Sequence, residues 1–206
     1  MTSSDILYFD ATGSIVKGQD FQIYTLLVRN PVKGEMSLPV ASFITTAHDS
    51  VTISNFLNTF LHHRLQLTGS TEPPIRIMID GSAAIWNSVL HSFNNESRVQ
   101  YYERCYRIVT GNPKVGDLNL SIVQNCYSHA MKAAKITVLS HYKKALKSTA
   151  MTWISKFFSC DSLRGLDDMV SSFIILTNCK TTSKMIDWHF KHLTVGDIRE
   201  SIKTEF

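Results

Sequence analysis

Short runs of β-branched and aromatic residues, separated by glycine, asparagine and proline, fill the first third of the chain. They occupy residues 6–10, 21–28 and 38–45, and such runs are typical of β-strands. Because tight connections join three successive runs, we predict an antiparallel meander. In the second run one face is apolar and the other is nearly so, which favours a sheet covered on both faces.

The middle of the chain alternates between helical and strand-like patterns. Apolar residues recur at intervals of three and four from Ser50 or Ser54 to Gly69, which predicts an amphipathic helix. The short apolar run 75–80 predicts a buried parallel strand, and helical spacing returns over 84–93. A helix, a strand and a second helix therefore follow the meander.

The last part of the chain is mostly helical in pattern. A turn signal precedes residues 118–123, which predict a fifth strand leading into a helix. Helical periodicity covers the segments 132–160, 163–178 and 182–203. The order of patterns predicts an α/β fold with three antiparallel strands, then parallel strands, then an all-helical C-terminal extension.

Composition excludes several classes of protein. With 206 residues, 44% of them hydrophobic and 18% charged, the chain has the apolar content of a folded domain, and global disorder is excluded. No apolar run approaches the roughly 18 residues of a membrane span, and no basic stretch precedes the first apolar run. We therefore expect neither a span nor a secretory signal. Cysteines without a Cys-x-x-Cys pair predict a reducing compartment, the nucleus or the cytoplasm.

Two aspartates stand at equivalent strand ends. Asp10 and Asp80 each follow an apolar run and each precede small residues, the place where a mixed sheet presents metal ligands to a phosphate. If the two strands are neighbours, the carboxylates repel each other unless a divalent cation neutralises them, and Mg²⁺ prefers such oxygen ligands. Either aspartate alone also fits a strand terminator or a helix N-cap. The pair favours a metal site.

An ordered set of motifs carries a family resemblance. LYFDATG at 7–13, PVASFIT at 39–45, IMIDGSAA at 77–84 and CYSH at 126–129 occur in this order. Together they resemble the transposase domain of Mutator-like elements, within the ribonuclease-H-like DDE/D superfamily. The resemblance spans about residues 5–135, and its specificity lies in the set, since each piece alone is weak.

The resemblance implies metal-dependent DNA cleavage and strand transfer. In this family two aspartates and a more distant acid hold two Mg²⁺ or Mn²⁺ ions, which assist the attacking and leaving oxygens of a phosphodiester displacement. Asp10 and Asp80 match the first and second acids in position. DNA is the implied partner.

The third acid has no recognisable motif in this chain. Asp168, with Asp167 as the alternative, is the best candidate, because we expect this pair to open a helix after the Cys-x-x-His element. An acidic first helical turn also has an ordinary explanation in the helix dipole. The alternative is that the third acid is missing, which would leave an inactive, transposon-derived domain that binds nucleic acid or protein. A nuclease or resolvase on the same fold is a third interpretation.

Cys126 and His129 form the Cys-x-x-His element. Spaced by three on a helix, they would share a face and provide half of a zinc site. A structural zinc site needs four ligands, and no second pair has suitable spacing. We therefore interpret the pair as a packing and hydrogen-bonding element beside the sheet edge, not as a zinc site.

A basic stretch free of acidic residues runs from 118 to 160. Such a stretch can follow a phosphate backbone, and a solvated helix face explains it equally well, since the formal net charge is only +4. The lysines predicted to contact DNA are Lys132, Lys135, Lys143, Lys144 and Lys147.

An aromatic and basic segment precedes this stretch. Tyr101 and Tyr102 lie among several arginines and could stack on bases while the arginines grip phosphates. The preferred interpretation is an amphipathic helix with tyrosines at the core boundary.

These observations define two predicted regions. Residues 5–140 form a ribonuclease-H-like transposase core, and residues 141–206 form a helical extension, which would be the start of a helical insertion if the protein is longer. The expected partner is DNA and not a membrane. The oligomeric state stays open, with a homo-oligomer among the alternatives.

Overall fold

The computed structural model describes residues 6–13, 20–141 and 144–178. The helix predicted over 182–203 lies outside these residues. The described chain divides into two compact units, Met1–Cys126 and Tyr127–Phe206. This division falls after Cys126. The domain boundary that the sequence predicts near residue 140 stays a prediction.

A mixed five-stranded sheet forms the centre of the first unit. Its order is β3-β2-β1-β4-β5, with β1–β2 and β2–β3 antiparallel and with β1–β4 and β4–β5 parallel. The predicted α/β architecture of an antiparallel meander followed by parallel strands is thereby confirmed. The strands are β1 (Ile6–Gly13), β2 (Gln22–Val28), β3 (Leu38–Thr45), β4 (Arg76–Ile79) and β5 (Ile122–Asn125).

The described residues include six α-helices, three in each unit. A π-helical turn, Leu90–Asn94, continues the second of them. The segment 132–160, predicted as one helical stretch, is divided between two helices. The helices are α1 (Ser50–Thr68), α2 (Ala83–Val89), α3 (Arg98–Val109), α4 (Tyr127–His141), α5 (Lys144–Phe158) and α6 (Leu163–Asn178).

The ends of α1 follow from local chemistry. The Asp49 carboxylate accepts the backbone N–H groups of Val51 and Thr52, each at 2.9 Å, so the helix begins at Ser50. Gly69 adopts a left-handed conformation (φ 67°), and its N–H donates to the carbonyl of Leu65, which ends the helix as predicted.

The fifth strand begins later than its apolar pattern predicts. The expected strand at 118–123 is instead β5 at Ile122–Asn125, and Asp117–Asn119 form a 3₁₀ turn. The Asp117 carboxylate accepts hydrogen bonds from the backbone of Lys114 and from the Arg107 side chain. This tertiary anchor holds the turn and leaves Leu118 70% exposed, so its apolar character does not mark a strand.

One face of the sheet carries the core of the first unit. Leu7 and Phe9 of β1 are buried, whereas the alternating residues Tyr8 and Asp10 lie on the other face. The expectation that both faces are covered is wrong at β3, where Ile44 is 65% exposed. The core residues are Leu7, Phe9, Tyr24, Leu26, Ile53, Leu57, Ile77, Ile79, Ile85, Trp86, Val89, Leu90, Tyr101 and Val123.

The second unit has an aromatic core of its own. Trp153 of α5 is buried, and its ring meets that of Phe173 of α6 edge to face at 5.2 Å. Phe157 contacts the same phenylalanine ring at 5.8 Å. No helix among the residues that the structure describes is long and apolar enough to span a bilayer.

Two arginines tie α3 to the segments around it. Arg104 is 1% exposed, and its guanidinium donates to both carboxylate oxygens of Glu96, at 2.8 and 2.9 Å. It also donates to the carbonyls of Asp117 and Ser121. One turn later, Arg107 pairs with the Asp117 carboxylate at 2.9 Å. A buried charge is tolerated here because all sides of the guanidinium are hydrogen-bonded.

The ion pair between Asp117 and Arg107 predicts that the fold loses stability in acid. Its hydrogen bond with Arg107, followed by that from the Lys114 backbone, lowers the pKa of Asp117 from 3.8 to about 2. Because the pKa of Asp117 is lower in the folded than in the unfolded state, its ionised carboxylate stabilises the fold at pH values above about 4. This contribution is lost as the pH falls from about 4 to 2. Asp117→Asn should therefore flatten the dependence of unfolding free energy on pH in that window. Urea titrations at several pH values measure this, and an unchanged slope would contradict it.

Candidate carboxylate site at the sheet edge

The sheet places Asp10 and Asp80 side by side. Their strands β1 and β4 are parallel neighbours, and Phe9 pairs with Ile79, the residue before each aspartate. Adjacent strands lie about 4.8 Å apart, so the two residues occupy the same level of the carboxyl edge. The neighbouring strands that the metal hypothesis required are thus present. The prediction that Asp10 ends its strand is wrong, because β1 continues to Gly13 through its pairing with β2.

Local contacts orient one of the two carboxylates. Oδ1 of Asp80 accepts the backbone N–H of Ser82 at 2.8 Å, which closes a turn directly before α2. Asp80 is not the N-cap of α2, because Ser82 occupies that position and no side chain of the described residues caps the helix. Both aspartates are partly buried, and Oδ1 of Asp10 is fully shielded from solvent.

The carboxyl edge has a negative potential that reaches a neighbouring strand. Burial is the main cause that raises the pKa of the Tyr24 hydroxyl, and the charges of Asp80 and Asp49 raise it further. Tyr24 lies on β2, beside β1. Negative charge of this kind attracts cations to the edge.

A third polar side chain at this edge was missed by sequence reasoning. Asn125 ends β5 and pairs with Ile79, and its Oδ1 accepts the indole N–H of Trp86 at 2.9 Å. The signal was available, because Asn125 ends an apolar strand pattern much as Asp80 follows one. It was overlooked because the strand was expected to end two residues earlier.

Gly81 allows the backbone to pass close to Asn125. It has a φ of +90°, and a Cβ there would lie 3.2 Å from Oδ1 of Asn125. Any other residue would have a strained backbone at this φ, and its Cβ would press against Asn125, so both features favour glycine. The turn after Asp80 therefore depends on a residue without a side chain.

Gly81→Ala should lower the free energy of unfolding by about 1–3 kcal/mol, the cost of a strained backbone conformation, and weaken the Trp86–Asn125 hydrogen bond. Gly34→Ala is the matched control, because Gly34 has a φ of +93° with nothing within 4 Å of its Cβ position. Urea unfolding of both variants separates backbone strain from contact with Asn125. Equal losses would show that this contact costs nothing.

The candidates for the third acid do not open a helix as predicted. Helix α6 begins at Leu163, so Asp167 and Asp168 lie in its second turn, and both are exposed. The helical spacing located the start of α6 correctly, but the acidic pair was misjudged as its first turn. Among residues 6–13, 20–141 and 144–178, no group of three or more His, Cys, Asp or Glu side chains is placed to hold a metal ion.

Cys126 and His129 are divided between two elements. Cys126 follows β5, and its N–H donates to the carbonyl of Ile79 at 2.6 Å, which extends the ladder to β4. Helix α4 begins only at Tyr127, so the expectation that both residues share a helical face is wrong. The backbone bond agrees with a hydrogen-bonding role for Cys126, and the preference against zinc stays a prediction.

The predicted DNA-contacting lysines are described only in part. Lys132 and Lys135 are exposed and lie one turn apart on α4, whereas Lys147 on α5 is partly buried. Lys143 and the side chain of Lys144 lie outside the described residues. The exposed pair is compatible with contact to a phosphate backbone and equally with a solvated face.

An open depression lies beside the π-helical turn. It does not include Asp10 or Asp80, and its one acidic lining residue, Glu96, is paired with Arg104. It therefore does not extend the carboxylate site. Its lining residues are Asn87, His91, Asn95, Glu96, Ser97, Arg98 and Val99.

Comparison with known proteins assigns no family. No protein-family model matches the chain, and no curated protein matches it significantly in sequence. The geometry of the carboxyl edge is the basis on which a function can be inferred.

Proposed function

We propose that the first part of the chain, residues 5–140, is the ribonuclease-H-like core of a Mutator-like transposase, or a remnant of one. The observation that carries this proposal is the pair Asp10 and Asp80 on adjacent parallel strands of a sheet ordered β3-β2-β1-β4-β5. Three antiparallel strands followed by parallel ones are what the sequence resemblance implies. The reaction would be metal-dependent cleavage of DNA phosphodiester bonds and strand transfer.

The residues present fit part of a site for Mg²⁺ or Mn²⁺. Asp10 and Asp80 supply the hard oxygen ligands that these ions prefer, and a cation between them would offset their mutual repulsion. When bound, the ion supplies charge neutralisation for the oxygens of an in-line displacement. The protein contributes orientation, because Asp10 is fixed in the central strand and Ser82 holds Oδ1 of Asp80.

A second function is favoured by one specific observation. No third acid joins the two aspartates in the part of the chain that the structure describes. A transposon-derived domain without its third acid would bind metal weakly, would not cleave DNA, and would serve as a nucleic-acid or protein binding module. The exposed lysines of α4 suit DNA binding in either case.

Calorimetry and a nicking assay distinguish the two functions. Mg²⁺ and Mn²⁺ are titrated into the wild type, Asp10→Asn and Asp80→Asn, and the same samples are incubated with supercoiled plasmid. Metal binding and nicking, both lost in the variants, would support the transposase core. Metal binding without nicking would support the inactive module. If the wild type binds no metal, both aspartates have only structural roles and the transposase proposal is overturned.

A further inference from the structure

The aromatic segment of α3 has one buried and one exposed tyrosine. Tyr101 is 4% exposed, and its hydroxyl is bonded to the backbone of Val123, so it anchors α3 to β5. Tyr102 is 57% exposed. Of the two tyrosines that the sequence singled out, only Tyr102 has a ring face available to a ligand.

Tyr102 lies beside the turn that follows Asp80. Its ring centroid is 6.3 Å from that of Trp86, and Trp86 is hydrogen-bonded to Asn125 at the end of β5. The Arg98 guanidinium donates to the carbonyl of Ala83 at 2.7 Å, three residues after Asp80. These contacts join an exposed aromatic ring and an arginine to α2, the helix that follows Asp80, and Trp86 of that helix reaches the end of β5.

The Trp86 contact also determines how Asn125 presents its amide. An indole N–H can only donate, so the atom that faces it must be Oδ1, and Nδ2 points away from it. Within the described residues, Trp86 is the hydrogen-bond partner of the Asn125 side chain, and Asn125 is exposed. Its amide N–H groups are therefore available to an acceptor in solution.

We propose that Tyr102, Arg98 and Asn125 form a site for an unpaired nucleotide of a single-stranded nucleic acid. A base stacks on the Tyr102 ring, and the phosphate oxygens accept from the Asn125 amide and face the Arg98 charge. Stacking on an exposed aromatic ring combined with phosphate donors is how proteins hold single strands. The site deepens the proposed function, because it would keep a strand next to Asp80, yet binding there needs no metal.

The test measures binding of a fluorescein-labelled oligodeoxythymidine of about 20 nucleotides by fluorescence anisotropy. EDTA is present, so the result does not depend on an ion at Asp10 and Asp80. Tyr102→Ala should weaken binding by about fivefold or more, the loss of one stacked base. Tyr106→Ala is the matched control, because Tyr106 lies one turn further along α3 and is 65% exposed. It should change binding by less than about twofold, since losing a solvated ring removes no stacked base.

Asn125→Asp tests the amide without removing the acceptor for Trp86. It replaces two donors by a charged oxygen, and it should weaken oligonucleotide binding by about fivefold through the lost hydrogen bond and the added repulsion. Far-ultraviolet circular dichroism and urea unfolding verify that each variant is folded.

Three outcomes would overturn this site. They are unchanged binding in Tyr102→Ala, equal losses in Tyr102→Ala and Tyr106→Ala, and a blunt duplex that binds as tightly as the single strand. Tyr102-dependent binding in a protein that neither binds metal nor nicks DNA would end the cleavage proposal and leave the nucleotide site standing. Metal binding and nicking together with unchanged oligonucleotide binding in Tyr102→Ala would support the carboxylate site and overturn the nucleotide site.

Discussion

Asp10→Asn and Asp80→Asn should each reduce metal-dependent DNA cleavage by about 10³-fold or more, equivalent to about 4 kcal/mol of transition-state stabilisation. Each substitution removes one negative charge from the adjacent pair that follows the last paired residues of β1 and β4, Phe9 and Ile79. The asparagine amide keeps the size of the side chain but is a much poorer ligand for a hard cation. Initial rates of plasmid nicking in Mg²⁺ and in Mn²⁺ measure the loss.

Glu72→Gln is the matched control for this experiment. Glu72 is exposed and precedes β4, so it stands at the opposite end of that strand from Asp80. It should nick DNA at the wild-type rate, because neutralising a distant surface carboxylate leaves the carboxyl edge unchanged. If Asp10→Asn or Asp80→Asn also retains the wild-type rate, the two aspartates do not support cleavage.

Arg104→Met should lower the free energy of unfolding by about 3–5 kcal/mol, which is typical when one partner of a buried ion pair is removed. Methionine fills similar volume but leaves the Glu96 carboxylate, 12% exposed, without its counter-charge. The carbonyls of Asp117 and Ser121 also lose their donor. Urea unfolding followed by circular dichroism gives the value.

Two further variants identify the cause of that loss. Arg107→Met removes an ion pair one turn away whose arginine is 26% exposed. It should cost less, because this less buried arginine bonds only the Asp117 carboxylate, which still accepts the Lys114 backbone N–H in the variant. The double variant Arg104→Met with Glu96→Gln should recover part of the stability, since no unpaired buried charge remains. A loss in Arg107→Met as large as in Arg104→Met would contradict the importance of burial.

Local patterns were sufficient to locate most of the elements. Strand β3 (Leu38–Thr45) and helices α1 (Ser50–Thr68) and α6 (Leu163–Asn178) lie where the alternation and the helical spacing put them. Periodicity reports which face of a segment is buried, and that property is set within a few residues. Predictions failed where a distant contact decided the backbone, as at the 3₁₀ turn that Asp117 and Arg107 hold in place of a strand.

The same distinction between local pattern and distant contact applies to the candidate site. The sequence by itself determined that Asp10 and Asp80 follow apolar runs and that small residues come after them, but it did not show that β1 continues to Gly13. Only the tertiary structure decided that β1 and β4 are neighbours, and only it brought Asn125 to Trp86 across 39 positions. It also separated the buried Tyr101 from the exposed Tyr102. Side-chain periodicity is a local property, whereas strand order and hydrogen-bond partners depend on contacts between segments far apart in the chain.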